Sequence, residues 1–393
     1  MKKALQYVFV LCTLLALTMG LVKTVFFPKD MNYYENRYAV KLETPTLQGF
    51  LEGTVQENVE DALNDQVNFA QYMKKLYNLG SSAFLKLAAQ PVLRANPDRY
   101  VVLGGNLVYG VDHLLYWPRQ LSAISESLDA KIDHCNRVFA SHPDTDFYLY
   151  YIEKDTDIHF ETGARLGAGA YLREGMDLPA ERMGVFSVET FDQFSRWFYR
   201  TDHHWNAQGS YEGYRQVLAM LKPQETPLEP QEEVTLPGRF SGSKAKGLLE
   251  SFSETVTVYR YDYPEMEITV NGQPAEDYGK QDLYLSGKGG TPTYGGFYGG
   301  DSGEILFDTG TQGRGNILVL GESYDNAILK LLASHYDKTC SVDLRYYENY
   351  MGHPFDLDSY LTEHEIDTVL LIGNVDYYVM AEFNPGGQND GIQ

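Results

Sequence analysis

Asn316-Ile-Leu-Val-Leu-Gly-Glu-Ser323, the run NILVLGES, sets a short apolar strand directly before a glycine, an acid and a serine. Beyond it, Tyr324 to Tyr336 returns Ala327, Ile328, Leu331 and Leu332 at three- and four-residue steps, the spacing of a helix face. A serine at such a strand-to-helix turn projects its hydroxyl from the end of a sheet. The helix start offers N–H groups and the positive end of a dipole to a developing oxyanion. The competing reading makes Ser323 the N-cap of that helix, a common place for serine. The G-x-S-x-G elbow pattern is incomplete here, because Asp325 stands at its second glycine.

The same alternation extends to both sides. Downstream, a helix over Phe355 to His364 precedes the buried-strand run Asp367 to Ile372 (DTVLLI). Upstream, a helix over Ser122 to Ala140 precedes Asp146 to Ile152 (DFYLYYI), and a short strand at Val185 to Val188 leads into a helix ending near Phe198. Asn206 caps a further helix with Tyr211, Tyr214, Val217, Leu218 and Leu221 on one face. Apolar strands alternating with helices predict an α/β fold, a parallel sheet flanked by helices. Residues 224–315 break the pattern. They are rich in Gly, Pro and Tyr, carry alternating runs at Thr255 to Tyr261 and Glu265 to Val270, and hold the hairpin signal Asn271-Gly272, so they read as a β-rich insertion. Arg99 to Leu103 and Asn106 to Tyr109 read as a strand pair turning at Gly104-Gly105.

At the N-terminus, Lys2 and Lys3 precede an uncharged run from Ala4 to Val22 that ends at Lys23. As a helix it spans roughly 28 Å, close to a bilayer core. Thr18-Met19-Gly20 is a poor cleavage site, and Cys12 lacks the surroundings of a lipoprotein cysteine, so residues 1–23 read as an uncleaved anchor rather than a removed signal. The paired lysines keep the cytoplasmic side, making this a single-pass protein of the cell membrane with the rest of the chain extracytoplasmic. Residues 24–48, with Pro28 and Pro45, read as a juxtamembrane linker, and 49–393 as the globular domain. That domain opens on a helix over Gly49 to Leu87, with Val55, Val59, Leu63, Val67 and Ala70 on one stripe.

The 54 acids against 32 bases leave a formal charge of −22, which repels nucleic acid. The 31 tyrosines suit either a sugar-stacking surface or half-exposed strands. Outside the anchor only Cys135 and Cys340 remain; one disulfide and two buried thiols are equal alternatives. No Cys/His cluster has zinc spacing, and no cofactor is expected.

The second chemical signal is Thr201-Asp202-His203-His204-Trp205-Asn206. In an extended segment, Asp202 and His204 share a face. The carboxylate then holds the imidazole Nδ1–H and leaves Nε2 free as a base. An Asp-x-His pair is otherwise a polar surface cluster. A metal reading would use Asp202, His203 and His204, but adjacent histidines point apart and a third strong ligand is not evident.

TDHHW, continued by NAQGSYEGY, resembles the signature of the DHHW protein family, which is similar to the alginate O-acetylation proteins with an SGNH-hydrolase-like domain. Glu35-Asn36-Arg37, Asn64-Asp65-Gln66, Phe240-Ser241-Gly242 and the stretch Asp343-Leu344-Arg345-Tyr346-Tyr347 extend the resemblance. It implies a triad of Ser323, His204 and Asp202, with Asn374 as a side-chain donor to the oxyanion. Arg345 is a second donor candidate, against a structural salt bridge. Tyr199 and Trp205 are candidates to line an acceptor groove, against places in the core. Two departures stand out: Glu322 replaces the aspartate usual before the nucleophile, and VNFAQ after Gln66 lacks the family's arginine. The function implied is O-acetyl transfer to a cell-envelope polysaccharide, with a membrane-bound O-acyltransferase partner supplying acetyl groups. The alternatives are a carbohydrate esterase and an inactive glycan-binding or envelope-assembly protein.

Overall fold

NILVL lies inside an eight-stranded sheet in the computed structural model, which describes residues 2–32, 37–66, 68–276, 278–279 and 281–386. In chain order the strands are β1 (Asp146–Ile152), β2 (Met183–Phe186), β3 (Glu267–Val270), β4 (Gln273–Pro274), β5 (Glu304–Asp308), β6 (Asn316–Leu320), β7 (Lys338–Val342) and β8 (Thr368–Gly373). They lie side by side as β4-β3-β5-β7-β6-β8-β1-β2. The run β7-β6-β8-β1-β2 is parallel throughout. Ile317 to Leu320 are completely buried, with Ile317 and Val319 in one hydrophobic core and Leu318 and Leu320 in the other. A strand covered on both faces needs apolar residues at every position, which is why this run is continuous rather than alternating.

The expectation of a parallel sheet interrupted by an insertion needs correcting, because the sheet is mixed. β3, β4 and β5 come from residues 224–315 and extend it antiparallel beyond β7. Asn271 and Gly272 both take positive φ, 50° and 71°, and fold β3 straight back onto β4; so tight a turn permits only antiparallel pairing. β5 meanwhile covers what would be an open edge on β7. The rest of the insertion is less β-rich than its alternation suggests. It holds a two-stranded ribbon, Glu232–Thr235 against Thr257–Arg260, and short helices at Gln281–Leu285 and Tyr294–Tyr298. The Gly104-Gly105 turn is present and joins Val101–Leu103 to Asn106–Tyr109, with both glycines at positive φ.

Asn206 caps the helix Ala207–Leu221, its Oδ1 accepting from the N–H groups of Gln208 and Gly209 at 3.0 Å each. The helix buries Tyr214, Val217 and Leu218. A Cβ at Gly213 would collide with the Trp205 ring, so the second glycine of NAQGSYEGY lets the helix press onto the indole that precedes it. Cys135 and Cys340 are separate, buried free thiols, each pushed up to about 12 by burial.

By contacts the chain forms two compact units, one up to Ala88 with Leu249–Ser251, the other comprising Ala89–Leu248 and the chain from Phe252 onward. In the first, Lys2–Phe26 is a helix, and its Gln6–Phe26 stretch is long and apolar enough to cross a membrane. The single helix expected over 49–87 is interrupted at Gly53, which separates Leu47–Glu52 from Thr54–Gln66, and helix is again present over Asn68–Ala95. Gly53, at φ 87°, ends the first in a left-handed cap that a continuous helix cannot contain. Asp65 and Gln66 of the NDQ motif fasten the polar stretch before these helices. The Asp65 carboxylate accepts from the Val40 N–H at 2.8 Å, and Gln66 Nε2 donates to the carbonyls of Lys29 and Val40. Glu35, Asn36 and Val67, read above as parts of family motifs, lie outside the described residues.

Candidate active site

Strand β6 ends at Leu320, and the helix behind it begins only at Asn326, with Asp325 at its N-cap. Ser323 is therefore not the cap. It sits on the intervening turn, half-buried between buried neighbours Glu322 and Tyr324. Its Oγ lies 2.8 Å from His204 Nε2, across 119 positions of sequence. His204 Nδ1 lies 2.6 Å from Asp202 Oδ1. The other Asp202 oxygen accepts from the Ser243 N–H at 2.7 Å. Burial pushes the Asp202 carboxyl up, but the His204 and His203 rings and the Ser243 N–H together overcome it and hold the group well below the usual carboxylate range. The order carboxylate, imidazole, hydroxyl orients the ring with its proton on Nδ1 and aims Nε2 at the hydroxyl.

Cross-links between the two motifs hold them in register. The Trp205 indole N–H donates to the Tyr324 carbonyl at 2.9 Å, and the Tyr324 hydroxyl donates to the His203 carbonyl. The residue after the base thus grips the residue after the nucleophile, which in turn grips the residue before the base. Upstream, the Glu254 carboxylate accepts from the Thr201 N–H and hydroxyl at 2.7 Å each. Thr201 to His204 is a succession of bends rather than the extended segment expected, so Asp202 reaches His204 by a local turn and not by strand alternation. The same bends bring the two histidine rings together, with centroids 3.9 Å apart and planes tilted by 35°, where adjacent histidines were expected to point apart.

That approach brings one ligand atom each of Asp202, His203 and His204 within 4.8 Å of one another, close enough to hold an ion. Both His204 nitrogens are already engaged, by Asp202 and by Ser323. An ion there would have to break one of those bonds, so the donor set fits proton transfer better than coordination. Burial, the His204 ring and the ammoniums of Lys154 and Lys244 keep the His203 ring neutral, against the pull of Asp202.

The remaining candidates fall in different places. Asn374 is buried beside the site, but its amide donates to Glu322 Oε1 while its Oδ1 caps the Asp376 N–H at 2.9 Å. The longer side chain of Glu322, where the family pattern has aspartate, reaches the amide expected to face the oxyanion and engages it. Burial raises the Glu322 carboxyl, opposed by Arg345, Lys154 and His204. Arg345 makes a salt bridge with Asp343, 2.6 Å at its shortest, and lies 3.8 Å from Glu322; it is the structural pair. Tyr199 and Trp205, read as groove residues, are 3% and 0% exposed and belong to the core. The sequence marks them as aromatic but not as buried.

Three contributors went unread. Tyr294, from the insertion, lies flat on His204, with ring centroids 3.7 Å apart and planes 2° from parallel, which fixes the imidazole plane. Its only sequence signal is membership of the tyrosine-rich insertion. Ser243 supplies the N–H that holds Asp202, and Gly242 makes room for it; the string Phe240-Ser241-Gly242 was noticed, without a role. A Cβ at Gly242 would collide with the Asp202 Cβ and lie 2.6 Å from its Cα. Gly242→Ala is therefore expected to leave a folded protein whose ester turnover falls about tenfold to a hundredfold through a displaced carboxylate. Turnover measured beside a thermal melt checks this, and wild-type turnover would contradict it.

Residues 167–342, which contain Asp202, His204 and Ser323, match the model of the DHHW protein family, bearing out the resemblance read from TDHHW. Among solved structures, a DHHW family protein from Eubacterium siraeum is similar at 15% identity and a TM-score of 0.52, covering 72% of this chain and 94% of its own. PatB1 from Bacillus cereus is similar at 19% identity and a TM-score of 0.52, covering 72% and 97%. A second structure of PatB1, carrying a sulfonyl adduct, matches at 18% identity and 0.51, over 72% and 95%. These likenesses show a shared fold. No curated protein matches the chain significantly.

Proposed function

We propose that this chain, of DHHW type over residues 167–342, is an extracytoplasmic serine O-acyltransferase that places acetyl groups on hydroxyls of a cell-envelope polysaccharide. The observation that carries the reading is the hydrogen-bonded series from Asp202 through His204 to Ser323. Ser323 Oγ attacks the acyl carbonyl while His204 Nε2 takes its proton. The tetrahedral intermediate collapses to an acyl-serine as Nε2 returns the proton to the leaving group. A sugar hydroxyl then attacks the acyl-serine, Nε2 takes its proton, and the freed Ser323 oxygen recovers it. Asp202 keeps the imidazole proton on Nδ1 and balances the imidazolium formed in each half. The oxyanion falls to the Ser323 N–H, which makes no hydrogen bond with another group among the described residues.

The spanning helix supports a place at the membrane, with the catalytic unit outside, where acetyl-CoA is not expected. A membrane-bound O-acyltransferase partner would then hand acetyl groups across. No cofactor enters this mechanism.

The test supplies p-nitrophenyl acetate to the full chain in detergent, with and without a neutral oligosaccharide. A transferase produces acetylated oligosaccharide and releases p-nitrophenol faster when the sugar is present. Acetate alone, at a rate the sugar does not change, identifies an esterase instead. Absence of both release and acyl-serine contradicts the reading.

A further inference from the structure

With Tyr199 and Trp205 in the core, an acceptor needs other aromatic surface near the nucleophile, and Tyr116 supplies it. It is 42% exposed. The Tyr116 ring lies 6.5 Å from the His203 ring, whose centroid is 3.9 Å from that of His204. We infer that Tyr116 is the platform on which an uncharged sugar ring of the acceptor stacks beside Ser323. This rests on the proposed transfer to a polysaccharide and names the surface that receives it.

The platform is built rather than incidental. The Tyr116 N–H donates to Asp155 Oδ2 at 2.8 Å, and the same oxygen accepts from Lys244 Nζ at 2.5 Å. Lys244 and Lys154, both buried, set their ammoniums 5.0 and 5.5 Å from the centre of the Tyr116 ring. Buried ion pairs thus fix both backbone and ring of a side chain that remains open to solvent. A fixed aromatic face loses little freedom when a ligand stacks on it.

A polar edge accompanies it. Asp376 bridges Lys154, at 2.6 Å, and Arg119, and both members of the Arg119–Asp376 pair are about two-fifths exposed. Sugar hydroxyls can donate to that carboxylate and accept from that guanidinium. The edge is tied to the nucleophile, since Asn374 caps the Asp376 N–H and bonds Glu322, the residue before Ser323. Aromatic face, ion-pair edge and reactive hydroxyl therefore share one framework. Charge selects an uncharged ring. Arg119, Lys154 and Lys244 are each paired with a carboxylate, and a chain of formal charge −22 repels a polyanion.

The experiment titrates the full chain in detergent with an N-acetylglucosamine pentamer and with maltopentaose by calorimetry, and measures p-nitrophenyl acetate turnover in parallel. The expected result is binding of at least one pentamer, weakened about tenfold in Tyr116→Ala and retained in Tyr116→Phe, as loss and keeping of one stacking face predict. Binding of neither pentamer, or a folded Tyr116→Ala protein binding like wild type, overturns the inference. Tyr116-dependent binding by a wild-type protein that forms no acyl-serine would keep the platform and remove the proposed chemistry, so the two failures are distinguishable.

Discussion

Ser323→Ala is expected to lower ester turnover by at least about three orders of magnitude, and His204→Ala by a similar amount. Ser323 Oγ is the one atom placed to attack, and Nε2 the one base in reach of its proton. Because the two act as a unit, the double variant should be scarcely worse than either single one. Ser323 is half-buried on a turn, and its side-chain hydrogen bond is the one to His204, so its alanine variant should lose no more than about 1 kcal/mol of stability. Turnover of p-nitrophenyl acetate read beside thermal melts checks this. A folded Ser323→Ala protein that retains turnover would remove the nucleophile assignment.

The second large effect is expected at Asp202. Asp202→Asn keeps the shape but presents an amide to His204 Nδ1, which favours the tautomer with its proton on Nε2 and disables the base. A loss of about 10⁴ in turnover is the expected scale. The pH dependence follows from the same contacts. The folded carboxyl lies below its unfolded value of about 3.9, so the stability its ionisation contributes is fully present above that value. It is lost only as pH falls from about 4 toward the lower folded value. In wild-type melts the Asp202 contribution should therefore be full and unchanging between about pH 5 and pH 8. The difference in melting temperature between wild type and Asp202→Asn should shrink as the wild-type carboxyl gains its proton below about pH 4. A difference that does not shrink in acid would contradict the buried pairing.

The parallel half of the sheet was legible because strands covered on both faces must be apolar throughout; NILVL, DFYLYYI and DTVLLI each announce themselves. The antiparallel half was not. Alternation at Glu265 to Val270 identifies a strand without saying which sheet edge it joins, and that partner is a long-range choice made by the open side of β7. The triad residues could be named because Asp202 and His204 are two positions apart and Ser323 follows a strand. Their meeting could not be derived, since it depends on Trp205 and Tyr324 reaching across to each other's segments. The partners of Asn374 were hidden for a related reason. Its position after β8 was readable, but the hydrogen bond that engages its amide depends on one extra methylene in Glu322. Tyr294 was beyond reach, because nothing local distinguishes it from the other tyrosines of the insertion.

The most direct test of the central claim uses a sulfonyl fluoride, given that the fold is shared with PatB1, which carries a sulfonyl adduct. The full chain is treated with the reagent, digested, and its peptides are mapped by mass spectrometry. The account predicts one stoichiometric adduct on the peptide containing Ser323, absent after His204→Ala. An unmodified Ser323 in the folded wild type, or an adduct that forms as readily without His204, would contradict it.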